Sequence, residues 1–202
     1  HRMNDLTNVP TRSLVLGSTS PYRRELLQRL RVPFTVDRPA VDETPRDRES
    51  PLDLAKRLAL GKAREVAQRH RQAVVIGSDQ VADLAGEPLG KPGNHANAAI
   101  QLNRMSGQLV TFHTAVAVVC LENGFESLEV APVFVRFRAL SPEEIERYLQ
   151  AETPYDCAGS ARSEGLGIAL LERIDSDDPT ALVGLPLIRT ARMIRAAGCS
   201  IL

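Results

Sequence analysis

The chain has 202 residues, of which 43% are hydrophobic and 25% charged, and this composition is typical of a globular protein rather than a disordered or fibrous one. Its 25 basic and 25 acidic side chains cancel, which excludes a global positive field that would gather nucleic acid or an anionic membrane. No apolar run approaches the roughly 20 residues of a membrane span, and no signal-peptide pattern is present. We therefore expect a cytoplasmic protein.

The three cysteines and four histidines do not fall at the spacing of a zinc finger. We expect neither a structural zinc site nor a disulfide framework. The first three residues resemble the remnant of an expression tag. The expected organisation is a tag remnant and N-terminal tail over residues 1–13, followed by one two-lobed domain over residues 14–202.

Short apolar runs alternate with helical patterns in the first part of the chain. Serine followed by proline strongly favours the start of a helix. The serine side chain accepts hydrogen bonds from free N–H groups of the first turn, and proline has no N–H that would need an acceptor. The patterns predict strands at 14–16 and 34–36, a loop over 37–49, and helices that begin at Ser20-Pro21 and at Ser50-Pro51, the second reaching about residue 69.

The next run, residues 73–76, is apolar at every position and predicts a central parallel strand that ends before the polar segment 77–80. Asn123-Gly124 between two β-branched stretches predicts a hairpin. Further along, the patterns predict a helix from Asn94 to about 105, long strands at 109–120 and 126–138, a capping box at Ser141 that opens a helix to about 150, a strand at 168–172 and a helix over 186–197. Together these elements indicate an α/β fold with a mixed sheet.

The segment after the first strand, residues 17–24, combines hydroxyl side chains, a helix N-terminus and the guanidinium groups of Arg23 and Arg24. Ligands of open α/β sheets collect at the carboxyl ends of parallel strands, and each of these groups favours phosphate oxygens. The segment is therefore a candidate anion site. The alternative is an ordinary helix cap with two solvated arginines.

Two acidic positions are candidates for the chemistry. Asp79 follows the apolar strand, where an acid holds a cation, accepts a proton or caps the next turn. Asp42-Glu43 lies in the predicted loop and offers a second carboxylate toward the same face. The alternative for this acidic pair is a solvated loop.

Lysine is rare in this chain, and two lysines stand out. Lys62 falls inside the apolar stripe of the predicted helix, beside Ala59 and Ala63, where a charge is costly without a partner. It either contacts a ligand or extends past the edge of the core to water. Lys91, in a predicted rigid turn, is a candidate ligand contact or a solvated loop lysine.

Seven segments, read in order, resemble the Maf family of nucleoside triphosphate pyrophosphatases over about residues 14–194. They are 16–24, 41–43, 62–63, 76–80, 90–92, 157–160 and 183–186. The resemblance implies a cytoplasmic hydrolase that depends on magnesium or manganese and cuts a nucleoside triphosphate to the monophosphate and pyrophosphate. It also implies an elongated two-lobed mixed sheet flanked by helices, with the site in a cleft between the lobes, and a possible homodimer.

The resemblance implies a role for each matching position. Asp79 corresponds to the catalytic carboxylate, which activates the attacking water or holds the metal beside it, and Glu43 corresponds to a second acidic residue at the metal site. The triphosphate-binding positions correspond to Ser18, Arg23, Lys62 and Lys91. Phosphoryl transfer needs alignment and charge neutralisation, which cationic side chains and a hard metal ion supply.

Tyr22, Gln80 and Glu164, together with Cys157, resemble the subgroup that hydrolyses 7-methyl-GTP, in which position 22 is usually tryptophan. The branch that acts on thymidine and uridine triphosphates has arginine, threonine and glutamine at the first three of these positions. Methylation at N7 gives guanine a positive charge that stacks favourably on an electron-rich ring, and Glu164 can accept from the N1–H and amine of guanine. The alternatives are a surface aromatic and a loop acid.

Two other functions stay open at this stage. One is a pyrophosphatase for other non-standard or pyrimidine nucleotides, such as dTTP and UTP. The other is a nucleotide-binding regulator of cell division, since the family is linked to septum formation. Sequence-specific binding of nucleic acid is disfavoured by the 4% aromatic content, the absence of tryptophan and the zero net charge.

Overall fold

The computed structural model describes residues 11–202. The predicted tag remnant lies outside the described residues. Five α-helices occur in the described part: α1 (Pro21–Gln28), α2 (Pro51–Ala67), α3 (His95–Met105), α4 (Pro142–Glu152) and α5 (Leu187–Ala197). The strands are β1 (Leu14–Leu16), β2 (Phe34–Val36), β3 (Val74–Leu84), β4 (Glu87–Leu89), β5 (Leu109–Cys120), β6 (Phe125–Phe137) and β7 (Leu171–Asp175).

The strands form one seven-stranded mixed sheet in the order β2-β1-β3-β5-β6-β7, with β4 paired to the end of β3. β1 runs parallel to β2 and to the first part of β3, whereas β3, β5, β6 and β7 pair antiparallel. The expected α/β class with a mixed sheet is confirmed. Because β1 ends opposite Ile76, the chain that leaves β1 lies beside the middle of β3.

The predicted helix starts are confirmed where a side chain caps the first turn. The side chains of Ser20, Ser50, Asn94 and Ser141 each accept from a backbone N–H three residues on, and Ser141 completes a capping box with Glu144. These signals are local, because the cap and its N–H belong to the same few residues. The sequence therefore located them correctly.

The prediction that the central strand ends at Ile76 is wrong. β3 continues to Leu84, since it pairs with β5 without a break from Val75 opposite Val119 to Asp83 opposite Thr111. This hydrogen-bonded ladder carries the strand through glycine, serine and aspartate, whose own strand propensity is low. Asp79 consequently lies inside a strand rather than in a turn.

The last strand and one short strand also differ from the sequence prediction. Residues 166–170 form a 3₁₀ turn, and the strand begins only at Leu171, where pairing with β6 begins. The sequence did not predict the short strand β4, because the segment is too short to show a strand pattern. Neither difference changes the α/β class.

Helix α2 packs against the sheet at Gly77. A methyl group at this glycine would lie 2.3 Å from the backbone oxygen of Ala59 and 2.5 Å from the backbone nitrogen of Ala63, closer than any real contact. Glycine therefore allows the helix and strand backbones to approach. The approach brings Lys62, between those two alanines, next to Asp79.

No helix within residues 11–202 is both long and apolar enough to cross a bilayer.

Candidate active site

Two adjoining cavities, of about 260 and 250 Å³, form a cleft at the middle of β3. Both are lined by Arg23, Lys62 and Lys91. The structure brings all nine predicted site residues to this cleft: the first cavity is also lined by Tyr22, Asp79, Gln80 and Glu164, and the second by Ser18 and Glu43. Tyr22 and Glu164 thus line the same cavity, although they are 142 positions apart in the sequence.

The loop between β1 and α1 builds one end of the cleft. Ser18 is buried, and its Oγ accepts from the backbone N–H of Ser20 at 3.0 Å. The side chain of Ser20 in turn accepts from the N–H of Arg23 at 3.3 Å and caps α1. The hydroxyl groups and the helix N-terminus thus lie where the sequence predicted an anion site.

Arg23 is a buried guanidinium beside this loop, and its Nε donates to the backbone oxygen of Gly184 at 2.8 Å. Burial lowers its pKa, and the negative charges of Asp79 and Glu43 oppose that shift. An arginine in this setting keeps its charge and strongly favours further anionic partners. Arg23 can therefore bind phosphate oxygens in the cleft.

Lys62 joins the two predicted carboxylates. Its Nζ lies 3.0 Å from Oδ1 of Asp79 on β3 and 2.8 Å from Oε1 of Glu43 in the loop before α2. The lysine is buried in the apolar stripe of α2, so its side chain does not extend past the edge of the core to water, and its role as a ligand contact stays a prediction. The contact accounts for a charge at a position that would otherwise be unfavourable.

The two carboxylates are in different electrostatic environments. Burial raises the pKa of Asp79, although the charges of Lys62 and Arg23 oppose this shift. Burial also acts to raise the pKa of Glu43, but the hydrogen bond from Lys62 and the charges of Lys62, Lys91 and Arg23 outweigh it, so the net shift is downward. Paired acids whose pKa values are pushed apart are typical of acid–base sites. Asp79 is the better proton acceptor of the two.

The donor set can be compared with what a metal ion requires. No group of three or more histidine, cysteine, aspartate or glutamate side chains in residues 11–202 is arranged to hold a metal. Glu43 and Asp79 nevertheless bind one ammonium group in common, so both can reach a single small cation. Magnesium often takes one or two carboxylates and completes its shell with substrate phosphates and water, and these two residues fit that pattern.

Tyr22 lies at the other end of the first cavity. Its hydroxyl donates to the carboxylate of Asp156, with both Oδ atoms at 3.0 Å. The guanidinium carbon of Arg162 lies 5.3 Å from the centroid of the Tyr22 ring, and Arg162 Nε lies 3.6 Å from Oε1 of Glu164. The ring and Glu164 therefore already contact a cation in this structure.

Gln80 uses its side chain to hold the cavity wall. Its Nε2 contacts Oγ1 of Thr114 at 3.0 Å and the backbone oxygen of Leu182 at 2.9 Å. Leu182 and the following Val183 line the first cavity. Gln80 thus fixes the segment that shapes this cavity.

Sequence reasoning missed Asp156 and the role of Gly184. Asp156 directly precedes the segment 157–160 that carried part of the family resemblance, and its acidity beside that segment was an available signal. The Gly184 oxygen accepts from Arg23 Nε and from Ser78 Oγ. No side-chain pattern could indicate this backbone acceptor.

A family model described as "Maf-like protein" matches residues 13–197. The chain belongs to the Maf family. The resemblance carried by the seven segments is therefore confirmed, and the cleft contains the positions that this resemblance singled out.

Several relatives match nearly the whole chain. The chain is 69% identical over 191 residues to the 7-methyl-GTP pyrophosphatase of Polaromonas sp., an alignment that covers 95% of this chain and 87% of the relative. It is 66% identical to the protein of the same name from Albidiferax ferrireducens, with 95% and 96% covered. A third protein of that name, from Cupriavidus pinatubonensis, is 53% identical, with 96% and 97% covered.

Proposed function

We propose that this protein is a hydrolase that converts 7-methyl-GTP to 7-methyl-GMP and pyrophosphate and thereby removes a modified nucleotide. The observation that carries the proposal is a single cleft with a cation-flanked acid pair at one end and Tyr22 with Glu164 at the other. The names of relatives that are 53–69% identical support the same substrate.

The phosphate end of the cleft suits a triphosphate. Arg23, Lys62 and Lys91 provide positive charge around both cavities, and the loop before α1 offers N–H groups and the hydroxyl of Ser18. Phosphoryl transfer depends mainly on alignment and on neutralising the charge of the phosphate oxygens. These groups therefore hold and orient the triphosphate.

Asp79 is the residue that takes the proton in this proposal. Its raised pKa makes it a more effective base than an ordinary aspartate. The water oxygen bonds to the α-phosphorus, the bond from this phosphorus to the α–β bridging oxygen breaks, pyrophosphate leaves with that oxygen, and a water proton passes to Asp79. Glu43 and Asp79 would hold magnesium or manganese, which would supply positive charge to the phosphate oxygens. Lys62 bridges the same two carboxylates and supplies positive charge beside them.

The other end of the cleft suits a cationic purine. A base that carries a positive charge gains from stacking on the Tyr22 ring. Glu164 accepts from the paired donors on the guanine edge, and a charge-assisted hydrogen bond is stronger than a neutral one. Uridine and thymidine carry neither the charge nor the paired donors.

The test is release of pyrophosphate from 7-methyl-GTP, GTP, dTTP and UTP, with magnesium or manganese, by the wild type and by Asp79→Asn. We expect 7-methyl-GTP to be the preferred substrate and the variant to lose activity by about 100-fold or more. Asp83→Asn is the matched control, because it makes the same change on the same strand, where Asp83 contacts His113 rather than the cleft.

Three outcomes would contradict the proposal in different ways. Equal or greater activity on dTTP or UTP would overturn the base assignment and favour a pyrimidine pyrophosphatase. Activity that persists in Asp79→Asn would overturn the role of Asp79. No hydrolysis of any nucleotide would favour the cell-division regulator. The cytoplasmic location and the homodimer remain predictions, which cell fractionation and light scattering would test.

A further inference from the structure

Asp156 lies in the wall of the first cavity, outside the positions to which the family resemblance assigned a role. We propose that Asp156 is a positioning residue that sets the preference for a cationic base through the hydroxyl of Tyr22. This inference rests on the proposed function, because it concerns how the same cleft distinguishes 7-methyl-GTP from GTP.

The contact between the two side chains is charge-assisted. The hydroxyl oxygen of Tyr22 lies 3.0 Å from each carboxylate oxygen of Asp156, so its single proton is donated to that carboxylate. A hydrogen bond to an ionised acceptor is stronger than one to a neutral acceptor. A phenol that donates to a carboxylate carries more electron density in its ring, and attraction to a cation over the ring increases with that density.

The protonation state of Tyr22 fits this role. Burial is the largest cause that raises the pKa of Tyr22, and the hydrogen bond and negative charge of Asp156 raise it further. The hydroxyl therefore keeps its proton at neutral pH and remains a donor to Asp156. The ring is held in one orientation because the donated hydrogen bond joins α1 to the segment before the 3₁₀ turn at Ala158–Ser160.

A cationic side chain already lies over the Tyr22 ring in this structure. The guanidinium carbon of Arg162 lies 5.3 Å from the ring centroid. The nearest carboxylate oxygens to Arg162, on Glu152 and Glu164, are 3.4 and 3.6 Å away, and its buried Nε has no hydrogen-bond partner in the described residues. The guanidinium of Arg162 therefore faces the Tyr22 ring without a hydrogen bond at its Nε.

The test compares the ratio of kcat/KM for 7-methyl-GTP to kcat/KM for GTP in four proteins: wild type, Asp156→Asn, Tyr22→Phe and the double variant. The two substrates differ by one methyl group and one positive charge. Asn keeps the shape and an acceptor oxygen but removes the charge of Asp156, and Phe keeps the ring but removes the donor. Asp47→Asn, on an exposed turn, is the matched control for loss of one acidic charge.

We expect Asp156→Asn to lower the ratio about threefold, which is typical of a weakened cation–π contact at an exposed site. The loss should come from a higher KM for 7-methyl-GTP, with kcat and the kinetics on GTP unchanged. Tyr22→Phe should lower the ratio by a similar factor. The double variant should show no further loss, since both substitutions interrupt the same contact.

An unchanged ratio in Asp156→Asn would overturn the inference, as would losses that multiply in the double variant, because Asp156 would then act independently of Tyr22. A lower kcat on both substrates would also overturn it, since this would indicate a structural effect. Failure of the proposed function is a separate result: the wild type itself would then show no preference for 7-methyl-GTP over GTP.

Discussion

Lys62 Nζ lies 3.0 Å from Oδ1 of Asp79, and the two side chains are only 10% and 11% exposed. The lysine comes from α2 and the aspartate from the middle of β3, 17 residues later. A buried carboxylate resists ionisation, and an ammonium group at this distance opposes that effect. The contact with Lys62 therefore affects both the ionisation of Asp79, the proposed base, and the cost in folding free energy of burying its charge.

The first prediction concerns the pH dependence of activity. Lys62→Met removes a group that lowers the pKa of Asp79, so that pKa should rise further and the acid limb of the kcat profile should move to higher pH. The lost positive charge should also reduce kcat/KM by about 100-fold. The measurement is the pH–rate profile on 7-methyl-GTP.

Lys56→Met is the matched control for this prediction, because Lys56 is exposed on the same helix. It should leave the profile unchanged. An acid limb that stays in place in Lys62→Met would show that Asp79 does not determine it.

The second prediction concerns stability. Because the folded-state pKa of Asp79 is raised above the ordinary value of 3.8, folding favours its neutral form. The contribution of this group is most favourable below pH 3.8 and is lost as pH rises through the folded-state pKa. Asp79→Asn mimics the neutral form, so it should raise the free energy of unfolding at pH 7, although it abolishes activity.

Urea unfolding at pH 7 and pH 4.5 tests this prediction, and the gain should be smaller at the lower pH. Asp83→Asn provides the comparison on the same strand. A variant that is less stable than the wild type at pH 7 would show that the ion pair with Lys62 outweighs the cost of burying Asp79.

The third prediction concerns the contact between α2 and β3. Gly77→Ala places a methyl group 2.3 Å from the oxygen of Ala59, so the helix must move away from the strand. We expect a loss of about 3 kcal/mol in the free energy of unfolding, together with reduced kcat as Lys62 moves from Asp79. Gly90→Ala is the control for stability, because its added methyl meets no atom within 4 Å.

Thermal unfolding and kinetics on the same preparations test this prediction. Full activity in a destabilised Gly77→Ala protein would show that the spacing of α2 and β3 does not set the position of Lys62.

The fourth prediction concerns base recognition. Glu164→Gln removes the charge that would accept from the guanine edge, so the preference for 7-methyl-GTP over UTP should fall about tenfold. The effect should be on KM, since the base lies away from the reacting phosphorus. Glu172→Gln, at an exposed position on β7, is the matched control, and an unchanged preference in Glu164→Gln would exclude Glu164 from base recognition.

The fifth prediction concerns the metal. Treatment with a chelator should abolish pyrophosphate release, and added magnesium or manganese should restore it. Glu43→Gln should raise the metal concentration needed for half-maximal activity by about tenfold. Asp42→Asn is the control, because the Asp42 carboxylate accepts from the N–H of Thr44 instead. A normal metal requirement in Glu43→Gln would remove this residue from the metal site.

The sequence alone determined the features that depend on neighbouring residues. Ser20, Ser50 and Ser141 each cap the helix that follows them, and a cap is formed by residues three apart. Lys62 was recognisable as an anomaly because the period of the helix places it among apolar residues. The seven segments that resemble the Maf family then indicated roles for the cleft residues, because their order along the chain identified the family.

Only the tertiary structure decided where those residues meet. The sequence suggested a turn at Asp79, but pairing with β5 keeps it in a strand, because the ladder of backbone hydrogen bonds depends on partners 28 or more residues away. The contact between Tyr22 and Asp156 spans 134 residues, and no local pattern specifies it. Packing at Gly77 brings α2 onto the strand, and that approach places the charge of Lys62 beside a carboxylate instead of in water.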